Sequence, residues 1–413
     1  MIFALNSGYI ARYAPFIWHK SLTNCDAHLP EGNIQARSRG KIDSSKRNKC
    51  VCFNACRSAQ TGIKCMKAKT WNLLVLGCTS GMLAVLAGVT IFVDPFLHYH
   101  GGQDFLEYPL QDERYQNDGI VRHYDYDSII TGTSMSQNFN CSEFDELWEA
   151  ESIKIANSGA SYHESGENIR RVFSHNADVV NVLCSLDGSR LNVPAYEDEY
   201  EGYPVYLYDN NPFNDVNYLL NKEVVPKTIA VLNYTRSGQR TPTMDEYQNW
   251  SRYKSFGRDS VLSSFSLAEE LEEESVLTDE DIRQIRENVS INFLELAKEH
   301  PDTTFYLFFP PYSICYWEAL VRTKQLNSQL EAQKTGVEVL LSAENIRVYD
   351  FSYRVDIIEN LDNYTDSIHY GEWVNSEMLQ MMKAGEGLLT KDRLEEYYDF
   401  IAELYLQYDY SQY

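Results

Sequence analysis

The sequence predicts an α/β fold: a doubly wound, mostly parallel sheet of the flavodoxin-like three-layer kind, behind one N-terminal apolar helix. Three observations predict it. Short apolar runs at residues 127–131, 152–156 and 179–186 alternate with helical patterns. The run at 179–186 is almost continuously apolar, as expected of a parallel strand covered on both faces. Residues 71–93 carry no charge over 23 positions, enough to span a hydrocarbon core of roughly 30 Å.

Charge divides the chain. Of 413 residues, 44% are hydrophobic and 13% aromatic, ample for a large core. Residues 1–93 hold 12 Lys and Arg against 3 Asp and Glu, whereas residues 94–413 hold 24 against 57, a net of -33. A domain this acidic repels nucleic acid and anionic lipid, which argues against either as partner, and it suits a solvated extracytoplasmic domain.

Residues 1–65 lack periodicity and are rich in Ser, Asn, Lys and Arg. They are expected to be a disordered or mis-annotated leader, with translation beginning at Met66. Cys50, Cys52, Cys56 and Cys65 fit no common zinc spacing, and neither metal nor cofactor is expected. Lys64, Lys67 and Lys69 precede the apolar run and Asp94 follows it, so the amino end is expected in the cytoplasm and the remainder outside.

Residues 94–122 read as a juxtamembrane segment, with His98 and His100 as packing residues. Residues 123–390 then form the main domain. Its first strand, 127–131, ends at Gly132, and a turn at Thr133 and Ser134 leads into a helix at 137–148. The second strand, 152–156, meets the Asn157-Ser158-Gly159 turn and a helix at 164–176. The third, 179–186, runs into Asp187. Residues 191–265 break the rhythm. This Tyr-rich insertion either caps or lines the substrate side, since aromatic faces suit sugar rings, or packs as an ordinary long insertion. Thr278 opens a helix with acidic residues in its first turn. Strands at 303–309 and 346–350, helical residues at 315–341 and a helix at 372–384 complete the domain, and 391–413 form a helix or tail.

Ligands of such sheets bind beyond the carboxyl ends of the strands. Ser134, Gly159 and Asp187 each follow a strand, so all three are expected on one edge. A Ser after a strand and a Gly turn is how hydrolytic α/β folds present a nucleophile. Of the nine His, only His369 has a carboxylate three residues before it, Asp366. An Asp-x-x-His loop supplies both a base and its orienting group.

These stretches, with GTSMSQNF, NSGAS and FFPPYS, resemble the SGNH hydrolase superfamily. They are similar in particular to its membrane-anchored branch typified by the D-alanyl transfer protein of teichoic-acid modification. The resemblance covers about residues 70–390. It implies Ser134 as nucleophile, His369 as base, Asp366 as its orienter and the Gly159 N–H as part of an oxyanion hole. Two positions depart from the family pattern. Thr133 stands where Asp is usual, and the block that normally supplies an Asn carries Asp187. A carboxylate facing an oxyanion is repulsive, so Asp187 is expected to point elsewhere.

The resemblance implies a membrane-anchored serine acyltransferase or esterase acting on a cell-envelope polysaccharide or teichoic-acid-like polymer, with a polytopic membrane acyltransferase as acyl supplier. Transfer and hydrolysis share this chemistry and stay open. The alternative is a non-catalytic scaffold that binds an envelope polysaccharide or an assembly complex.

Overall fold

The computed structural model describes residues 67–197, 200, 203–209 and 211–412. The leader, with its four cysteines and Met66, lies outside the described residues. The chain divides into two compact units, Met1–Asn72 and Leu73–Tyr413. Of the first, the described part is only the start of the apolar helix.

That helix, Ala68–Val93, is long and apolar enough to cross a membrane, and nearly all of its surface is exposed. It ends at Asp94, which adopts a left-handed φ of 46° and is fully buried. The Asp94 carboxylate accepts the backbone N–H of His98, Tyr99 and His100 at 3.0, 2.7 and 3.0 Å. The hydroxyl of Tyr218, from the insertion, donates to it at 2.6 Å. Four donors therefore satisfy one buried charge. His98 lies 3.6 Å from the Asp215 carboxylate, and the His100 ring nitrogens sit against the carbonyls of Gly101 and Ile91. Both rings serve the joint between the helix and the domain.

The domain is built on five parallel strands, β1 (Ser128–Thr131), β2 (Ser152–Lys154), β3 (Asn181–Ser185), β4 (Thr304–Phe309) and β5 (Ile346–Asp350), in the order β2-β1-β3-β4-β5. The register pairs Ile129 with both Ile153 and Val182, and Leu183 with Tyr306. Side chains alternate along a strand, and β4 displays the two faces. Tyr306 meets Trp148 and Phe308 meets Phe139 on one side, while Phe305 meets Phe173 on the other. Helices Cys141–Trp148 and Glu372–Ala384 pack together on the first side. Helices Tyr162–His175, Asp279–Val289 and Leu326–Leu340 pack on the second. Apolar side chains from both layers close on the sheet, which is the fully covered parallel arrangement expected.

Several elements begin where the local chemistry dictates. Thr278 and Asp281 form a reciprocal capping box ahead of Asp279–Val289. Gly385, at φ 78°, stops Glu372–Ala384. The helical stretch expected over 315–341 is two helices, Ile314–Arg322 and Leu326–Leu340, parted where Lys324 turns left-handed at φ 53°.

The helix expected from residue 137 starts only at Cys141. Residues 137–139 are claimed by other segments. Asn138 accepts the Ser251 N–H at 3.2 Å and donates to the Tyr370 carbonyl at 3.4 Å. The Phe139 carbonyl accepts from Lys154 Nζ at 2.9 Å.

Residues 191–265 contain the helices Val216–Leu219, Val224–Arg236 and Arg258–Ser264. Their Tyr218 and Val224 join Leu207 and Phe96 in a small second core.

Candidate active site

In this strand order the winding switches from one side of β1 to the other between β2 and β3, and in such sheets the ligand crevice lies beyond the carboxyl ends of the strands at that point. Ser134 follows β1, and Asp187 follows β3. Gly132 makes the turn possible. Its φ is 112°, and a Cβ there would stand 2.5 Å from Ser185 Oγ and 2.9 Å from the Ser185 nitrogen. Only glycine fits both the angle and the space.

The turn places Ser134 Oγ 2.9 Å from His369 Nε2, although 235 residues separate them in sequence. His369 Nδ1 lies 2.9 and 3.0 Å from the two Asp366 oxygens. Asp366 also accepts the backbone N–H of Ile368 and His369, at 3.0 and 2.9 Å, so the loop closes on its own carboxylate. Burial pushes the Asp366 carboxyl up, but the bond and attraction to His369 and the two backbone bonds outweigh it, and it titrates below the ordinary range. An ionised Asp366 accepts a hydrogen bond from Nδ1–H and so keeps the proton on that nitrogen. Nε2 then presents its lone pair to Ser134. The loop is pinned from outside as well, because Ser313 donates to the Ser367 carbonyl through N–H at 3.1 Å and hydroxyl at 2.7 Å. The His369 side chain is 28% exposed, so solvent and a ligand reach it.

Asp187 points away from this pair. Its carboxylate accepts from Thr133 Oγ1 at 2.6 Å and from the Tyr312 hydroxyl, and Tyr162 donates to its carbonyl at 3.1 Å. Thr133 and Asp187 are therefore one feature, a hydroxyl donating to a carboxylate across the ends of β1 and β3.

Gly159 lies in an exposed turn at φ 68°. That turn is tied to the Ser134 turn by the Asn157 N–H, which donates to the Gly132 carbonyl at 2.9 Å. It is braced from below by Arg114, which donates to the Ser158 carbonyl at 2.8 Å and forms a buried ion pair with Glu164 at 2.7 Å. The N–H groups of Ser134 and Gly159 have no hydrogen-bond partner among the described residues. They are the donors available to an oxyanion. No bond or contact links Gly159 directly to Ser134 or His369 among the described residues.

The structure adds one residue that spacing does not reveal. Trp250, from the insertion, donates its indole N–H to the Ser134 carbonyl at 3.0 Å. Its ring stands at 87° to His369, with centroids 5.2 Å apart. Composition marks the insertion as aromatic, but nothing in the sequence singles out this Trp, 116 positions beyond Ser134.

Residues 1–46 match the model of a family of unknown function, DUF6783. These residues lie outside the described structure, and the match is too short to place the whole chain in that family. No curated protein matches the chain. Among solved structures, the chain is similar to an acetyl xylan esterase, Est2A, from the rumen bacterium Butyrivibrio proteoclasticus. The identity is 9% and the TM-score 0.29, over 66% of this chain and 64% of the esterase. The chain thus spans under two thirds of that protein, and so distant a likeness carries no weight for the site.

Proposed function

We propose that the protein is a serine acyl-transfer enzyme. One observation carries this reading: the unbroken chain from Ser134 Oγ through His369 to Asp366 at the switch point of the sheet. In the first step Ser134 Oγ bonds to an acyl carbonyl carbon while its proton passes to His369 Nε2. The carbonyl electrons move onto oxygen, beside the free N–H groups of Ser134 and Gly159. Collapse expels the leaving alcohol, which takes the proton from His369, and the acyl group stays on Ser134. An incoming hydroxyl, from a polymer or from water, reverses the sequence.

We further propose a site at the outer face of the cytoplasmic membrane, from the apolar helix and the charges that flank it, and, from the sequence resemblance alone, an envelope polymer as acceptor and a polytopic membrane acyltransferase as acyl supplier. A serine-directed fluorophosphonate probe tests the core of the proposal. It is expected to label the full-length wild type and not Ser134→Ala. Equal labelling of both would remove Ser134 as nucleophile.

The non-catalytic scaffold is kept by one observation: Asp187 is fully engaged by Thr133 and Tyr312 and offers no third oxyanion donor. That reading predicts that neither protein is labelled.

A further inference from the structure

A cleft of about 760 Å³ opens on the insertion side of the site. It lies between residues 110–113, Gln137 and residues 234–253. Neither Ser134 nor His369 lines it. Trp250 is the shared wall, facing the cleft while holding the Ser134 carbonyl, and Gln137 enters it from three residues beyond the nucleophile. We propose that this cleft binds a segment of uncharged, hydroxyl-rich glycan and so presents a sugar hydroxyl or its ester to Ser134. This rests on the acyl-transfer reading of the site.

Three features of the lining point to that ligand. The first is size, since the volume lies in the upper range of small-ligand sites and exceeds what one acyl group needs.

The second is polar chemistry without net charge. Gln111 and Gln239 lie on the wall, together with Gln248 and Asn249, whose amides are bonded to Ala156, Asn117 and Glu372. Asn249 is 2% exposed and its Nδ2 donates to Glu372 at 2.6 Å, yet its Oδ1 has no partner among the described residues. The cationic side chains are already engaged. Arg240 holds Glu246 through two bonds of 2.7 Å, and Arg252 lies 3.5 Å from the same carboxylate. With both guanidinium groups turned to Glu246, and Glu113 also on the wall, the lining has little to offer a phosphate.

The third is aromatic surface. Trp250 is half-buried beside the reacting pair, and Tyr253 is 87% exposed at the cleft. An exposed flat ring with a polar edge, next to amides, is a platform for a sugar face.

The test uses full-length Ser134→Ala in detergent, so that binding is read without turnover. The probes are uncharged hexasaccharides of glucose, xylose, galactose and N-acetylglucosamine, and a poly(glycerol phosphate) of equal length. At least one uncharged probe is expected to bind and to change the tryptophan fluorescence, with the phosphate polymer at least ~10-fold weaker. Tyr253→Ala is expected to weaken that binding roughly 5-fold with its melting temperature unchanged. Tighter binding of the phosphate polymer, no binding of any uncharged probe, or indifference to both Tyr253→Ala and Gln239→Ala would overturn the proposal. Fluorophosphonate labelling of the wild type reports separately on the nucleophile, so failure of one reading is not mistaken for failure of the other.

Discussion

The indole of Trp250 is bonded to the backbone of Ser134 and packed edge-on against His369, so one side chain from the insertion contacts both partners of the reacting pair. Trp250→Phe keeps the ring and removes the bond. A neutral hydrogen bond contributes on the order of 1 kcal/mol. Hydrolysis of a small soluble ester is therefore expected to fall roughly 5-fold in kcat. The circular dichroism spectrum is expected to be unchanged. An unaltered kcat would show that the ring packing alone positions Ser134.

Asp366→Asn tests the orienting role. The amide keeps the shape of the loop but leaves Nδ1 without an anionic partner. In a Ser-His-Asp site this substitution costs about 10⁴-fold in kcat. A loss of at least ~100-fold, with KM little changed, is the expected result here. The pH dependence of stability has a defined sign too. The folded Asp366 carboxyl titrates below its unfolded value, so its contribution is complete above about pH 4 and is lost as pH falls through the folded value. Acid melting curves of Asp366→Asn should lack that segment.

Thr133 and Asp187 form a coupled pair. Thr133→Asp sets a second carboxylate against Asp187. Destabilisation of about 2–4 kcal/mol is expected. Adding Asp187→Asn should recover more than half of it, as a double-mutant cycle in urea would measure. Additive losses would mean that the two side chains do not meet.

Lys154 gives a prediction in the opposite pH range. It is fully buried in β2, donates to the Phe139 carbonyl and lies 3.5 Å from the Asp245 carbonyl. Burial lowers its pKa to about 8. The unfolded chain then holds this proton up to about pH 10.4 while the folded chain releases it earlier. Stability contributed by this group rises with pH between those values. Lys154→Met should flatten that rise in denaturant titrations between about pH 8 and 10.

Gly132→Ala should be strongly destabilising. The backbone angle is left-handed, and the new carbon would meet Ser185 atoms at 2.5 and 2.9 Å, one of them backbone. A loss of about 3 kcal/mol and a melting temperature lower by roughly 5–10 °C are expected.

The strands were readable because buried parallel strands carry unbroken apolar runs. β5 and the helix Glu372–Ala384 fall at the expected residues, and β3 sits inside its expected run. Their boundaries are set by local chemistry, such as the Gly385 stop. Residues 137–140 carry a helical pattern but stay outside the helix because Asn138 and Phe139 bond to Ser251, Tyr370 and Lys154, all distant in sequence. Ser134, Asp366 and His369 stood out because a short loop can encode a base and its carboxylate. Trp250 and Tyr312 did not, since their roles exist only once the insertion and the β4 loop have folded onto the crevice. The same holds for Asp187, expected to point elsewhere than the oxyanion, whose orientation has its cause in two hydroxyls from other segments.

Three successive amides and a tyrosine from the insertion clamp Asp94, the first residue after the apolar helix, leaving no slack hinge there. Moving that residue would mean breaking all four bonds together, so the turn at residues 94–100 and the part of the insertion that carries Tyr218 are expected to loosen as one cooperative unit rather than singly.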